Sequence, residues 1–256
     1  MSRGFGASGS GASDAVRTNI TSSGSDWRSY SIWVYRTGNG GGGFGNIFFK
    51  NFSELFWWTG SVYNYSKCNA AGVQTARHNC GLGTTSGLAN VWLNLVLTHD
   101  QASGALTPPV VYYNGVFNNT QIGTSASVTA PNTTDPYYVG NDQFNTRVWD
   151  GLLAHFAIWD DTILGFREVQ ALASDASPMD IAPAKLVSYL PLDGIHNPEF
   201  DHIIANRPSS VTGTRLGTDQ PPLAPMYIGR RSPLLEPAFT QAQASAAARQ
   251  LAVTIT

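Results

Sequence analysis

The sequence is poor in charged side chains and in cysteine, and these shortages exclude several classes of protein. Asp, Glu, Lys and Arg make up 12% of the 256 residues, about half of the roughly 25% that is typical of globular proteins. The formal net charge is −2 and the longest basic run is Arg230-Arg231, so we expect no nucleic-acid partner. Solubility must rest on Asn, Ser, Thr and Gly, which suggests a surface that is partly covered in use.

Long apolar runs and an export signal are also missing. The first sixteen residues are rich in Gly, Ser and Ala and contain no apolar segment of the kind a secretory signal needs. No stretch approaches 18 uninterrupted apolar residues, so we expect no membrane span. The two cysteines, Cys68 and Cys80, could close one loop or stay as free thiols, and without an export signal free thiols are favoured.

Motifs for catalysis and for nucleotide binding are absent or lie in the wrong context. The five histidines show no metal-ligand spacing, and no G-x-S-x-G occurs. Asp160-Asp161 is the only acidic pair, and a local turn role is favoured because neighbouring strand residues face opposite ways. Gly38, Gly40 and Gly43 spell G-x-G-x-x-G, but a strand follows where a phosphate loop needs a helix, which predicts a mobile turn instead.

Short runs of aromatic and β-branched residues dominate the chain and predict strands. Asn114-Gly115 lies between two such runs and predicts a type I′ hairpin, because both residues tolerate positive φ. Residues 152–159 are apolar on both alternating faces, which predicts a central strand covered on both sides. The predicted strands lie in residues 14–20, 30–35, 47–49, 55–58, 61–65, 91–98, 110–113, 116–117, 152–159 and 186–190, with a long loop or irregular hairpin over 66–88.

One short helix is predicted near the end of this series. It opens at Gly165, where the carboxylate of Glu168 can meet the free N–H groups of the first turn. Phe166, Val169 and Leu172 are predicted to form its buried stripe, and Pro178 to end it. The strand at 186–190 is predicted to be the last. Half of the 14 prolines fall in the residues after 194, so we divide the chain into a domain over 1–194 and a Pro-rich arm over 195–256.

The order of these blocks resembles the concanavalin A-like lectin/glucanase superfamily, and more narrowly its laminin-G-like branch. The blocks are SYSIWVYR, NIFFK, WLNLVLTHD, VVYYNG, YYVGND, WDGLLAHFAIWD, a helix with EVQAL, and LVSYLPLDG. The resemblance covers residues 14–194 and implies an all-β fold: a two-sheet antiparallel jelly-roll sandwich with one short helix before the last strand, followed by an extended C-terminal arm. The Gly-rich start and Pro-rich end resemble proteins encoded by tailed bacteriophages.

The resemblance implies a non-catalytic structural or adhesive protein. A glycosidase of this superfamily would carry E-x-D-x-x-E on one strand, and none of the four glutamates stands in such a motif. We expect a virion component, as capsid decoration or tail-associated protein, assembled in the host cytoplasm. It would dock on other virion proteins or like subunits through residues 195–256 and bind surface polysaccharide. The alternatives are a stand-alone extracellular carbohydrate-binding module and, at lower weight, a glycosidase without the usual motif.

Glycan binding would need an exposed aromatic face flanked by hydrogen-bonding groups. Trp57 and Trp58 are adjacent, so one of them should face away from the core and is a candidate platform. Tyr63, Asn64 and Tyr65 lie on the next predicted strand and complete the candidate site. The competing interpretation is that the outward tryptophan packs under the 66–88 segment or against a neighbour.

No cofactor is expected, although calcium is a possibility that the resemblance raises. Asp100, Asn141 and Asp142 lie at predicted strand ends, where a rim site could form. Ca²⁺ needs six to eight oxygen ligands, and the sequence shows no matching cluster of carboxylates. Because Asn and Asp are ordinary turn residues, a turn role for these three is favoured.

Overall fold

A computed structural model describes most of the chain up to residue 221. The described residues are 1–6, 12–20, 27–51, 53–68, 74–80, 88–100, 109–118, 121–125, 135–174, 176–204, 210–217 and 219–221. All of them belong to one compact unit, Met1–Ala224. Within these ranges, no helix has the length and apolar character needed to cross a membrane.

The described residues form two antiparallel sheets, which confirms the predicted two-sheet jelly-roll sandwich. In chain order the strands are β1 (Arg3–Phe5), β2 (Ala15–Arg17), β3 (Trp27–Arg36), β4 (Gly45–Lys50), β5 (Glu54–Trp58), β6 (Tyr63–Cys68), β7 (Gln74–Asn79), β8 (Trp92–Asp100), β9 (Val110–Tyr113), β10 (Val116–Asn118), β11 (Gln121–Ser125), β12 (Tyr137–Val139), β13 (Gly151–Asp160), β14 (Leu186–Leu190), β15 (Ser210–Thr212) and β16 (Arg215–Leu216). The first sheet has the order β10-β9-β8-β3-β13-β1-β16, with β14 also paired to β13. The second has the order β11-β7-β6-β5-β4-β12-β2-β15.

Strand β13 lies in the middle of the first sheet, as its two apolar faces predict. Along one side it pairs with β3, and along the other with β1 at its start and β14 at its end. Phe156 and Ile158 point into the core between the sheets, together with aromatic rings such as Phe48 and Phe56. Ala157 and Trp159 point to the opposite face, where a second apolar cluster covers them.

The helix α1 (Phe166–Ala173) begins as predicted, but its buried face differs. The backbone N–H of Gly165 donates to Glu168 Oε2 at 2.6 Å, which caps the first turn. Val169 and Leu172 are buried against the first sheet. The prediction for Phe166 is wrong: it is 53% exposed, because Leu164, just before the helix, makes the core contact at this end.

Pro178 does not end the helix, which stops five residues earlier, at Ala173. There the N–H groups of Ser174 and Ala176 both donate to the carbonyl of Ala171. Instead it opens a short 3-10 turn, Pro178–Asp180.

Two turns follow the local sequence closely. At the β9–β10 hairpin, Asn114 and Gly115 have φ values of 49° and 78°, which confirms the type I′ assignment. The Gly-rich segment between β3 and β4 is a turn containing a 3-10 segment, Gly41–Gly43, and not a phosphate loop before a helix. Gly40 has a φ of 83°, and a Cβ there would lie 2.6 Å from the carbonyl oxygen of Val148. In the 66–88 segment, predicted as a long loop or irregular hairpin, the described residues 66–68 and 74–79 lie in β6 and β7, which pair antiparallel with a register shift between Lys67 and Cys68. Residues 69–73 and 81–87 lie outside the described residues.

The end of the chain departs from the predicted domain boundary. Strand β14 is not the last strand, since β15 pairs with β2 in the second sheet and β16 pairs with β1 in the first. The residues between 195 and 217 therefore belong to the sandwich and not to a separate arm. Local patterns missed β15 and β16 because strands of two or three residues carry no detectable alternation. Residues 222–256 lie outside the described part of the chain.

Candidate functional site

The predicted aromatic platform at Trp57 and Trp58 is not exposed, so this prediction is wrong. Trp58 lies in the core between the sheets. Trp57 does face outward, but it is only 9% exposed, and the guanidinium of Arg77 on β7 lies 5.6 Å from its ring. Tyr63, Asn64 and Tyr65 on β6 are also fully buried. A sugar cannot stack on rings that other side chains already cover.

The three residues considered for calcium are engaged in other contacts. Asn141 Oδ1 accepts the N–H groups of Asp142 and Arg147, while its amide nitrogen donates to backbone carbonyls. Asp142 accepts two backbone N–H groups and the hydroxyl of Thr146. The oxygens of these two residues hold a turn, the role favoured from the sequence.

The third of these residues, Asp100, accepts the indole N–H of Trp27 at 2.8 Å. Among the described residues, moreover, no group of three or more His, Cys, Asp or Glu side chains could hold a metal ion.

One end of the sandwich interior contains a cluster of buried charges centred on Glu54. We call it the buried charge cluster; it comprises Arg28, Glu54, Lys67 and Asp160, with the hydroxyls of Tyr30 and Tyr137. Glu54 Oε1 accepts from Arg28 and from Lys67, both at 2.9 Å. Glu54 Oε2 accepts from the two tyrosines, and Arg28 Nε also donates to Asp160 at 2.7 Å.

The electrostatics of this cluster keep the carboxylate of Glu54 charged and paired. Burial raises the pKa of Glu54, but Lys67, Arg28 and the hydroxyl of Tyr30 outweigh it and hold that pKa well below its usual range. A general acid needs a raised pKa and access to substrate, and Glu54 has neither. Asp160 is used inside this cluster, while its neighbour Asp161 pairs with Lys185 at the surface. The local turn role predicted for the acidic pair is therefore wrong for Asp160, which ends β13 and bonds to Arg28, 132 positions away.

Two basic groups lie beside the buried charge cluster. Burial lowers the pKa of Lys50 to about 8, and its ammonium lies 4.8 Å from the centre of the Tyr137 ring. Burial also lowers the pKa of His99 to about 3, helped by Lys67. The interior of this end of the sandwich is thus a structural ion-pair network.

Cys80 is a free thiol that is buried in the neighbouring core.

An open cleft lies on the segment that follows β14. We call it the 191–202 cleft; its volume is about 430 Å³, within the range of about 300–1,000 Å³ usual for ligand sites. The lining residues are Pro191, Asp193, His196, Glu199, Phe200, Asp201 and His202. Phe200 is 48% exposed, and the ring of His196 packs edge-on against it at 5.6 Å. The cleft therefore offers an accessible aromatic ring beside polar groups.

Side-chain hydrogen bonds fix the shape of the cleft. Asp193 accepts the backbone N–H groups of Ile195 and His196 and contacts the His196 ring at 3.0 Å. Asp201 Oδ1 accepts the backbone N–H groups of Tyr189 and Ile203, and its Oδ2 accepts the hydroxyl of Ser188. Such local bonds let a loop hold a defined binding geometry.

The side chain behind the cleft has an unusual backbone conformation. His155 lies within β13 at a break in the register with β3, and its φ is 54°. Its N–H donates to the carbonyl of Pro191, and its ring contacts the hydroxyl of Tyr189 at 2.7 Å. Burial lowers the pKa of His155 to about 4. Positive φ in a non-glycine residue marks a conformation that its surroundings impose.

The sequence prediction placed no site here, because residues beyond 194 were assigned to an arm. A signal was available: the segment from Asp193 to His202 contains two histidines, three carboxylates and a phenylalanine. Chemically, the arrangement can stack an apolar face on Phe200 and accept hydrogen bonds at Asp193. It combines the groups expected of a sugar site.

Comparison with known proteins identifies the fold family. The family model described as the concanavalin A-like lectin/glucanases superfamily matches residues 9–165. Among proteins with curated descriptions, none matches the sequence.

Several solved structures are similar to this chain at low sequence identity. A candidate carbohydrate-binding protein from Bacteroides ovatus is 14% identical with a TM-score of 0.60, over 87% of this chain and 61% of its own. The chain thus spans less than two thirds of that relative's length. A SAP-like pentraxin from Limulus polyphemus is 12% identical, TM-score 0.47, over 78% of this chain and 89% of its own. The receptor-binding domain of botulinum neurotoxin C/D mosaic serotype is 12% identical with a TM-score of 0.47, over 65% of this chain and 41% of its own.

Proposed function

Because the chain belongs to the concanavalin A-like lectin/glucanases superfamily, we propose that it is a lectin-like binding protein without catalytic activity whose 191–202 cleft holds a glycan. The family match ends before the cleft, so the site assignment rests on the geometry of the cleft itself. The observation that carries it is the exposed ring of Phe200 at the edge of a polar concavity. Aromatic rings beside fixed hydrogen-bonding groups suit the mixed polar and apolar faces of a sugar.

The absence of catalysis is proposed from the state of the carboxylates. Glycoside hydrolysis uses two carboxyl groups about 5–9.5 Å apart, one of them protonated, on either side of the bond that breaks. Glu54 and Asp160 are buried and bound to Arg28. In the cleft, Glu199 is bound to Arg3. Asp201 is only 3% exposed and accepts three backbone N–H groups and one hydroxyl. Asp193 alone is left with access to a ligand.

A glycan array with the purified chain tests the proposed site. We expect Phe200→Ala to weaken binding by about tenfold or more, a change that corresponds to about 1.4 kcal/mol or more. Phe144→Ala is the matched control, because Phe144 is also an exposed phenylalanine but does not line the cleft. Equal binding by Phe200→Ala and the unmodified chain would remove the cleft from consideration.

A second, compatible proposal concerns where the protein acts: as a bacteriophage virion component, in the capsid or tail, that docks on like subunits or other virion proteins. It is supported by the low charged content of 12% and by exposed apolar side chains such as Val116 and Phe117 on β10. The corresponding location is the virion, with an extracellular adhesin as the alternative.

Light scattering after size exclusion tests this second proposal, using the full chain and a chain truncated after Pro221. Truncation must begin there because β15 and β16 belong to the sandwich. We expect a homo-oligomer for the full chain and a monomer for the truncated one. A monomeric full chain that binds polysaccharide would instead favour a stand-alone carbohydrate-binding module.

A further inference from the structure

The permanent charges among the described residues that line the 191–202 cleft are of one sign. Three carboxylates line it, those of Asp193, Glu199 and Asp201, and the lining, all of it within the described residues, includes neither Lys nor Arg. Among the described residues that line the cleft, a ligand would therefore meet carboxylates and imidazoles but no Lys or Arg side chain.

The guanidinium of Arg3 contacts Glu199 of the cleft and is fully engaged in hydrogen bonds. Its Nε and Nη2 atoms donate to Glu199 Oε2, Nη1 donates to the hydroxyl of Thr214, and Nη2 also donates to the carbonyl of His196. Arg3 is buried, so it cannot turn toward a ligand without leaving Glu199 unpaired. The amino group of Met1 contributes to lowering the pKa of His155, but it donates to Gln220 and does not line the cleft.

The carboxylate at the mouth of the cleft is Asp193. Its Oδ1 accepts two backbone N–H groups, and its Oδ2 contacts the His196 ring at 3.0 Å, with 21% of the Asp193 side chain exposed. A carboxylate oxygen has more than one lone pair, so Asp193 can also accept a ligand hydroxyl. Phe200, at an interplanar angle of 74° to His196, provides the adjoining apolar face.

From this distribution we infer that the 191–202 cleft selects neutral glycans and rejects those that carry sialic acid, uronic acid or sulfate; this rests on the proposed glycan-binding function. A neutral sugar ring can place its C–H face on Phe200 while a hydroxyl donates to Asp193. An acidic group in the same place meets the carboxylate of Asp193, and no Lys or Arg of the lining offsets the repulsion. Such repulsion is how a site discriminates against a close relative of its ligand. Screening is weaker in a cleft than on open surface, so the repulsion persists at moderate salt.

An array of matched pairs tests this, with each neutral oligosaccharide printed beside its sialylated, uronic acid-containing or sulfated derivative. We expect neutral members to bind at least about tenfold more strongly than their acidic partners. Phe200→Ala should weaken binding to the neutral members, and Phe144→Ala should leave it unchanged. Asp193→Asn keeps an oxygen for the backbone N–H groups but removes the charge, so it should raise the ratio of acidic to neutral binding several-fold.

The outcomes separate the inference from the function on which it rests. If acidic derivatives bind as well as neutral ones and Phe200→Ala still abolishes binding, the cleft is a glycan site and the inferred selectivity is wrong. If no glycan binds, or if binding is indifferent to Phe200→Ala, both the site and its selectivity are wrong. Unchanged melting temperatures of the variants establish that each comparison is made on folded protein.

Discussion

Replacing Glu54 by Gln should destabilise the fold severely, although the two side chains have nearly the same shape. The carboxylate is buried and accepts from Arg28, Lys67, Tyr30 and Tyr137. An amide has one oxygen, so the donors on its nitrogen side lose their acceptor. Removing the charge also leaves Arg28 and Lys67 in the interior with Asp160 as the remaining carboxylate of the buried charge cluster.

The expected loss is large because unpaired buried charges are costly. Breaking a buried ion pair by removing one partner costs about 3–5 kcal/mol. For a chain of this size about 1 kcal/mol corresponds to roughly 2–4 °C, so the melting temperature should fall by roughly 6–20 °C. The matched control is Asp161→Asn, because Asp161 and Lys185 form a largely exposed pair, for which such changes are worth about 0–1 kcal/mol.

Urea unfolding followed by tryptophan fluorescence measures both variants. Since the pKa of Glu54 is lowered in the folded state, its contribution is complete above the unfolded value of about 4.3 and is lost as pH falls further. The difference between the unmodified chain and Glu54→Gln should therefore shrink in acid. A loss below about 1 kcal/mol at neutral pH, equal to that of Asp161→Asn, would refute this account of the cluster.

Three further predictions concern the same sandwich. Lys50→Met should raise the free energy of unfolding at pH 7, and this gain should shrink between pH 8 and about 10.4. The reason is that the pKa of Lys50 is lowered to about 8 in the folded state, so the unfolded chain binds more protons in that window. A pH-independent difference in urea unfolding would contradict this prediction. Gly115→Ala should lower the free energy of unfolding by about 1–2 kcal/mol. The φ of Gly115 is 78°, in the left-handed region, and the new Cβ would lie 3.2 Å from the Cβ of Ala173. Thermal unfolding measures the loss, and an unchanged melting temperature would be inconsistent with this hairpin geometry. Calorimetric titration with Ca²⁺ should show no micromolar binding, because Asn141 and Asp142 already accept N–H and O–H groups of their own turn; micromolar heats would reopen the rim site.

Local signals in the sequence were sufficient for the parts of the fold that local physics decides. The Asn114-Gly115 turn, the Glu168 cap and the two apolar faces of β13 each depend on residues within a few positions of one another. All three are present in the structure. The superfamily resemblance then supplied the two-sheet arrangement, which no single block determines.

The prediction of an aromatic platform was wrong because the alternation of side chains along a strand gives the direction of each side chain but not which other groups lie over it. Trp57 does point away from the core, yet Arg77, from two strands further along the second sheet, lies over it. That contact depends on the register of β5, β6 and β7, and single-sequence patterns do not set register between strands.

The 191–202 cleft and the buried charge cluster were missed for a related reason. Arg28 and Asp160 are 132 positions apart, and Arg3 and Glu199 are 196 apart, so no spacing rule connects them. The cleft also lies beyond residue 194, where Pro-rich composition suggested an arm. In that region β15 and β16 return the chain to the sandwich, because β15 pairs with β2 and β16 pairs with β1.

A crystal structure of the full chain with a neutral oligosaccharide selected on the array tests the central claim most directly. The account predicts a sugar ring stacked on Phe200, with a hydroxyl donating to the carboxylate of Asp193. A sugar bound elsewhere, for example on the exposed indole of Trp27, with the 191–202 cleft free of ligand, would contradict it.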